Sequence, residues 1–121
     1  MLDHVLLPVR DLPASRAFYL AALAPLGVGI TMESPVSVGF GRDGTTRFLI
    51  ASREPVTGVH VAFTARDRPT VDAFHAAALA ADGRDNGPPG IRARYGPSYY
   101  AAFVLDPDGN NIEAVCHAPA S

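Results

Sequence analysis

Short apolar runs alternate with longer stretches of helical spacing along this chain, and the alternation occurs twice. Residues 2–9 and 58–65 are brief, apolar and rich in Val and Leu, which predicts strands. Asp11 and Asp67 follow as natural helix N-caps. Pro13 and Pro69 then fall in the first turn, where a missing N–H costs little. The helices are expected to run to about Pro25 and Asp82. Phe18, Ala21, Ala22 and Pro25 form the core-facing stripe of the first, and Phe74, Ala77 and Ala78 that of the second. Gly27 and Gly83 read as helix stops. In the first half, strands are expected near 28–33, 36–41 and 46–52, broken at Ser34-Pro35 and at Arg42-Asp43-Gly44. In the second half they are expected near 98–105 and 110–117, hinged at Asp106-Pro107-Asp108-Gly109. The Gly/Pro-rich stretch 87–97 reads as mostly loop.

The two halves are copies of one unit. Sliding the sequence by 56 positions lays residues 4–27 on 60–83, with 12 of 24 positions identical, from His4/His60 through Phe18/Phe74 to Gly27/Gly83. Two copies within one domain-sized chain mean two packed modules, about 1–53 and about 57–118, rather than a solenoid.

Composition narrows the function classes. With 48% apolar residues the chain can bury a core, and 18% charged residues is too few for disorder. The ten basic residues, all arginine, are scattered and the net charge is −2, so no nucleic-acid footprint exists. A single cysteine, Cys116, excludes an internal disulfide and a multi-thiolate zinc site. No apolar run approaches a membrane span, and the early Asp3 does not suit a signal peptide. A cytoplasmic protein that acts on a small molecule, with neither nucleic acid nor membrane as partner, is the expectation.

Three residues could carry chemistry. His4 shares a strand face with Leu6, and His60 shares one with Ala62 and Thr64; the repeat makes the two histidines equivalent. Glu113 sits among Ile112, Ala114 and Val115, where a carboxylate makes little sense unless something pairs it. Two imidazoles and one carboxylate form a common catalytic metal set with positions left for water or substrate. Residue types alone leave open the alternative that these are ordinary strand groups.

The run Leu2-Asp3-His4-Val5-Leu6, then Asp11 to Tyr19, resembles the opening of the glyoxalase/bleomycin-resistance/dioxygenase (vicinal oxygen chelate) superfamily. Val59-His60-Val61-Ala62-Phe63 and the closing run Leu105 to Glu113 are similar to its other motifs, so the resemblance covers nearly the whole chain. It implies an α+β fold of two βαβββ modules, a curved mixed sheet with helices outside. It also implies one divalent metal ion (Fe, Mn, Zn, Ni or Co) held at His4, His60 and Glu113, and commonly a homodimer. Both arrangements are then open, a site within one chain and a site between two.

Departures from particular members count against named reactions. A glyoxalase-like fourth ligand would fall at Phe48, four residues after Gly44 as Glu113 is four after Gly109; Leu49 and Ile50 beside it are apolar too. Ring-cleaving dioxygenases would want a Tyr where Phe103 stands and a His near Tyr95. Anion-binding side chains of a fosfomycin-type transferase are not evident. Among other candidates, Tyr100 is expected to face the cavity with Glu113 and could orient or protonate substrate. Tyr95, Tyr99, Arg92 and Arg94 could line the entrance, the arginines holding an anionic substrate, although ordinary loop residues are the blander reading. Gly39 to Gly44 matches a dinucleotide fingerprint by letter, but strand-like sequence follows it, so a hairpin turn is expected. Cys116 should be buried opposite Glu113, His75 should lie on a helix surface, and His117 at the rim.

These readings predict a metal-dependent enzyme acting on a small oxygen-bearing substrate by Lewis-acid catalysis, with Tyr100 and Glu113 as candidate catalytic groups. The competing class is a metal-free protein of the bleomycin-resistance type that sequesters a ligand in the same cleft.

Overall fold

Each module follows the order the repeat implies. In a computed structural model that describes residues 2–55 and 58–119, the first module consists of β1 (Val5–Val9), α1 (Leu12–Leu23), β2 (Gly29–Ser34), β3 (Ser37–Arg42) and β4 (Thr45–Ser52). The second contains β5 (His60–Thr64), α2 (Arg68–Ala80), β6 (Arg84–Ile91), β7 (Tyr100–Leu105) and β8 (Asn111–Cys116). The strands form two four-stranded sheets, ordered β1-β4-β3-β2 and β5-β8-β7-β6. In each, the first strand runs parallel to the last and the other pairs are antiparallel. The α+β class and its two βαβββ modules are as expected, with the strands in two mixed sheets.

Local chemistry sets the element ends. The Asp11 carboxylate accepts from the Ala14 N–H at 3.0 Å, and that of Asp67 from the Thr70 N–H at 2.9 Å. Each cap contributes about 1 kcal/mol. The first helix stops two residues before Pro25, which lies in a 3-10 turn, Ala24–Leu26; Gly27 then closes it with φ +75°. The second ends differently. Asp82 takes the left-handed conformation at φ 71°. Gly83 is needed for space instead, because a Cβ there would lie 2.6 Å from Phe18 Cε1 and 2.8 Å from the Ala78 oxygen. Asp43 and Gly44 both have positive φ, 52° and 75°, and make the two-residue hairpin turn between β3 and β4, so the run from Gly39 ends a strand and leads into another strand rather than a helix.

One core joins the modules. Phe18, Phe74, Phe40, Ile50 and Ile112 are fully buried between the helices and one face of each sheet, each contributing about 1.5–3 kcal/mol. Tyr19 is as buried as Phe18 and belongs to the helix stripe, although the apolar spacing did not pick it out. Its ring packs on Phe48 at 5.0 Å, and Phe48 on Phe63 of β5 at 5.2 Å, so aromatic rings cross the seam between modules. Cys116 is buried in this core, on the side away from Glu113.

Three expectations change. Residues 84–91, most of which read as loop, form β6. Pro88 and Pro89 are tolerated because β6 is the outer strand of its sheet, and its register slips between Asp85 and Gly87 and again before Gly90. His75 is not a surface residue: its side chain is 13% exposed, and its Nε2 lies 2.9 Å from Asp85 on that unforeseen strand. The counterpart of Glu113 is Leu49 rather than Phe48, since Ala62 pairs with Glu113 and its repeat partner Leu6 pairs with Leu49. Phe48 instead points under α1. No fourth ligand is gained, because leucine offers none.

Candidate functional site

Strand β8 is buried along nearly its whole length, and Glu113 sits in its middle at 2% exposure. A carboxylate so placed requires hydrogen-bond donors. His60, at the start of the neighbouring parallel strand β5, brings its Nε2 to 2.8 Å from Glu113 Oε1. The Tyr99 hydroxyl donates to the other oxygen, Oε2, at 2.5 Å. That bond, with burial and the carboxylate charge, pushes the Tyr99 phenol up to about 12. The phenol therefore stays protonated and keeps donating throughout the neutral range. His60 is half exposed, so this group of three opens to solvent on the histidine side.

Aromatic rings surround the carboxylate. Phe103 pairs with Glu113 across the β7–β8 ladder, and its ring lies 6.2 Å from that of His60. Tyr99 packs between Tyr95 and His117, each with ring centroids 5.2 Å from its own. His117 is thus an exposed residue at the edge of the site, as its position implied. A cavity of about 420 Å³ lies elsewhere, along the seam lined by Leu26, Phe40, Phe48 and Phe63, and reaches neither His60 nor Glu113.

Two placements expected from the sequence are not met within one chain. Tyr100 does not share the face of Glu113. It pairs with Cys116, and its hydroxyl donates to Asp72 of α2 at 2.6 Å, beside Arg68. The expected register paired odd with even positions. The loop between Leu105 and Asn111 has five residues, which pairs odd with odd and exchanges the roles of the two tyrosines. Asp106 shapes that loop by accepting from the Asn110 N–H at 2.8 Å and the Asp108 N–H at 3.0 Å. An Asp at the loop's start and an Asn at its end was the available signal. The second departure is His4. It is exposed, and its Nδ1 lies 2.8 Å from Asp3. Among the described residues, no three His, Cys, Asp or Glu side chains gather as a metal set.

The half-buried Arg92 lies over the Phe103 ring, with its guanidinium carbon 5.3 Å from the centroid. Arg94 stacks on Tyr95 at 4.8 Å and donates to its hydroxyl at 2.8 Å. No described helix is long and apolar enough to cross a membrane.

The fold and the motifs match known proteins. The model of the Glyoxalase/Bleomycin resistance protein/Dioxygenase superfamily matches residues 1–114. A glyoxalase/bleomycin resistance protein from Albidiferax ferrireducens T118 is 34% identical with a TM-score of 0.82, over 96% of this chain and 98% of that one. Two more distant structures share the fold. A glyoxalase/bleomycin resistance protein/dioxygenase family enzyme from Burkholderia phytofirmans PsJN has 21% identity and a TM-score of 0.75, over 96% of this chain and 98% of that one. Lactoylglutathione lyase from Agrobacterium tumefaciens has 21% identity and a TM-score of 0.70, over 96% and 92%. No curated protein matches the chain. Paired βαβββ modules, the repeat-equivalent histidines and the match along nearly the entire length lead to one conclusion: the chain belongs to the glyoxalase/bleomycin resistance protein/dioxygenase superfamily.

Proposed function

We propose that this protein is a metal-dependent enzyme acting on a small substrate with neighbouring oxygens, and that its site is completed between two copies of the chain. The observation that carries the reading is the pairing of buried Glu113 with half-exposed His60 at 2.8 Å. An imidazole and a carboxylate aimed at one spot suit a first-row divalent ion such as Fe, Mn, Zn, Ni or Co. His4, the repeat equivalent of His60, is the natural third donor, and its exposure leaves it available to a partner copy. A homodimer in which each site takes His60 and Glu113 from one chain and His4 from the other satisfies all three residues.

The chain's own side chains have definable parts in such a site. Tyr99 occupies Oε2 of Glu113 and so leaves Oε1 on the His60 side. Its raised pKa fits it to hold the carboxylate in place rather than to give up a proton near neutrality. The rings of Phe103 and Tyr99 shield the carboxylate from water, which strengthens electrostatic interactions there. A bound divalent ion would supply Lewis acidity toward the substrate's oxygens. With Leu49 where a fourth ligand would stand, more positions remain open for substrate than in a four-ligand site.

One observation favours the metal-free alternative. His60 and Tyr99 already satisfy both oxygens of Glu113, so the buried carboxylate does not itself demand an ion. The aromatic array of Tyr95, Tyr99 and His117 would suit a sequestered cationic or aromatic ligand. Metal analysis of tag-free protein separates the two readings. The enzyme reading predicts near-stoichiometric metal that is lost in His60→Ala. A wild-type protein that takes up no divalent ion when supplied with each supports the binding protein.

A further inference from the structure

On the sheet face that carries Phe103 and Glu113, one arginine side chain lies in a prepared seat. Strand β6 is bare at Gly87 and Gly90, and the Arg92 guanidinium folds back over both. A Cβ on Gly87 would lie 3.1 Å from Nη2, and one on Gly90 3.1 Å from Nη1. Gly87 also has φ +149°, a conformation that side-chain-bearing residues rarely adopt. The guanidinium is held from two sides. Its Nη2 donates to the Pro88 oxygen at 2.6 Å and its carbon lies over the Phe103 ring, while the backbone N–H of Arg92 donates to the backbone oxygen of Tyr99 at 2.8 Å and anchors the main chain.

What the guanidinium does not have is a carboxylate in contact; Asp85 feels its charge without forming an ion pair with it. Among the described residues Arg92 forms no ion pair, and its remaining N–H groups make no hydrogen bond. Asp85, on the same strand, is engaged by His75 at 2.9 Å and by the Gly87 N–H at 3.0 Å. Arg94, by contrast, is exposed and spent on Tyr95. A half-buried guanidinium held rigid with donors to spare loses little entropy when it captures an anion.

We propose that Arg92 is the anion anchor of this sheet face, binding the carboxylate of a small organic acid whose adjacent oxygen lies toward His60 and Glu113. The second part rests on the function proposed above; the first does not. Phe103 supplies the spacing. Its ring stands 5.3 Å from the guanidinium carbon and 6.2 Å from the His60 ring, so the two groups are separated by at most the span of a short acid and its contacts. The substrate class is therefore a short 2-oxo or 2-hydroxy acid rather than a neutral dicarbonyl.

Pyruvate and pyruvamide test this, because they share a shape and adjacent oxygens but differ in charge. Each is titrated by NMR into the full-length protein in the presence of a chelator, so that no metal is needed for binding. Pyruvate should shift the amide signals of Gly87, Gly90 and Phe103. Its affinity should fall by about tenfold or more in Arg92→Met, and less in Arg92→Lys, as loss of a charge-assisted bidentate contact requires. Pyruvamide should bind weakly and alike to all three. Arg92→Gln replaces Arg92→Met should the latter lose its dispersed spectrum. Pyruvate binding that is absent from the wild type, or unchanged by loss of the guanidinium, overturns the proposal, as does pyruvamide binding equal to pyruvate. None of these results bears on metal content, which decides the function proposed above separately.

Discussion

Phe103 and Glu113 stand opposite each other in the β7–β8 ladder, and from that pairing the identity of the site's tyrosine follows. Tyr100 is sent under the helix α2 to Asp72, and Tyr99 is left to reach Glu113. The two adjacent phenols should therefore respond differently to the same change. Tyr99→Phe strips a donor from a buried carboxylate and should cost about 1–3 kcal/mol. Tyr100→Phe removes an exposed hydrogen bond and should cost less than about 1 kcal/mol. Urea unfolding of the two variants measures the difference; equal losses would contradict this assignment.

Asp106 sets that ladder. Its buried carboxylate accepts from the Tyr19 hydroxyl at 2.5 Å, from the N–H groups of Asp108 and Asn110, and from Asn110 Nδ2 at 3.2 Å. Asp106→Ala should cost about 3 kcal/mol or more, because several buried donors lose their acceptor together. Asp106→Asn, which keeps the shape, should cost less. Denaturation midpoints of both variants check the order.

Alkaline pH should weaken the fold through its tyrosines. Burial first, then the Asp106 charge and hydrogen bond, raise the Tyr19 pKa well above its ordinary value. The hydrogen bond to Glu113 raises that of Tyr99 to about 12. A phenol whose pKa is higher folded than unfolded contributes stability that is fully present below about pH 10 and is lost as pH rises toward 12. Thermal midpoints should thus decline across that window. The decline should be shallower in Tyr99→Phe, which starts from a lower value; identical slopes would remove Tyr99 from the account.

Much of this was legible in the residues. The offset of 56 and the Asp/Pro starts of both helices gave the modules, the caps and the equivalence of His4 and His60. What was missed traces to information that local pattern does not hold. Sequence pattern puts Tyr100 in the cavity because Asp106 to Gly109 shows a turn but not its length, and one residue reverses every facing. The same uncertainty put Phe48 where Leu49 belongs, since a two-residue turn at Asp43-Gly44 was matched with a five-residue loop. Most of β6 reads as loop in the sequence because Pro88 and Pro89 suit a strand only at a sheet's edge, and edges are set by tertiary order. His75 then lacked its partner, because Asp85 belongs to that strand. Apolar spacing passes over Tyr19 because the acceptor for its hydroxyl lies in the other module.

Gly83 offers a check on the helix packing. A methyl group there meets Phe18 and the Ala78 carbonyl, so Gly83→Ala should destabilise by about 1–3 kcal/mol. A neutral result by thermal unfolding would show that Phe18 can yield.

The central claim is that His60 and Glu113 form half of a site whose other half is the His4 of a second copy. Mixing subunits tests it directly. His4→Ala and His60→Ala proteins are each purified without tags, then unfolded together and refolded so that their chains reassort. Each variant alone should bind no metal. In the mixture, half the dimers should pair one chain of each kind and restore one site of two, returning metal to about a quarter of the wild-type level. No recovery in the mixture, from a wild type that does bind metal, would contradict the account.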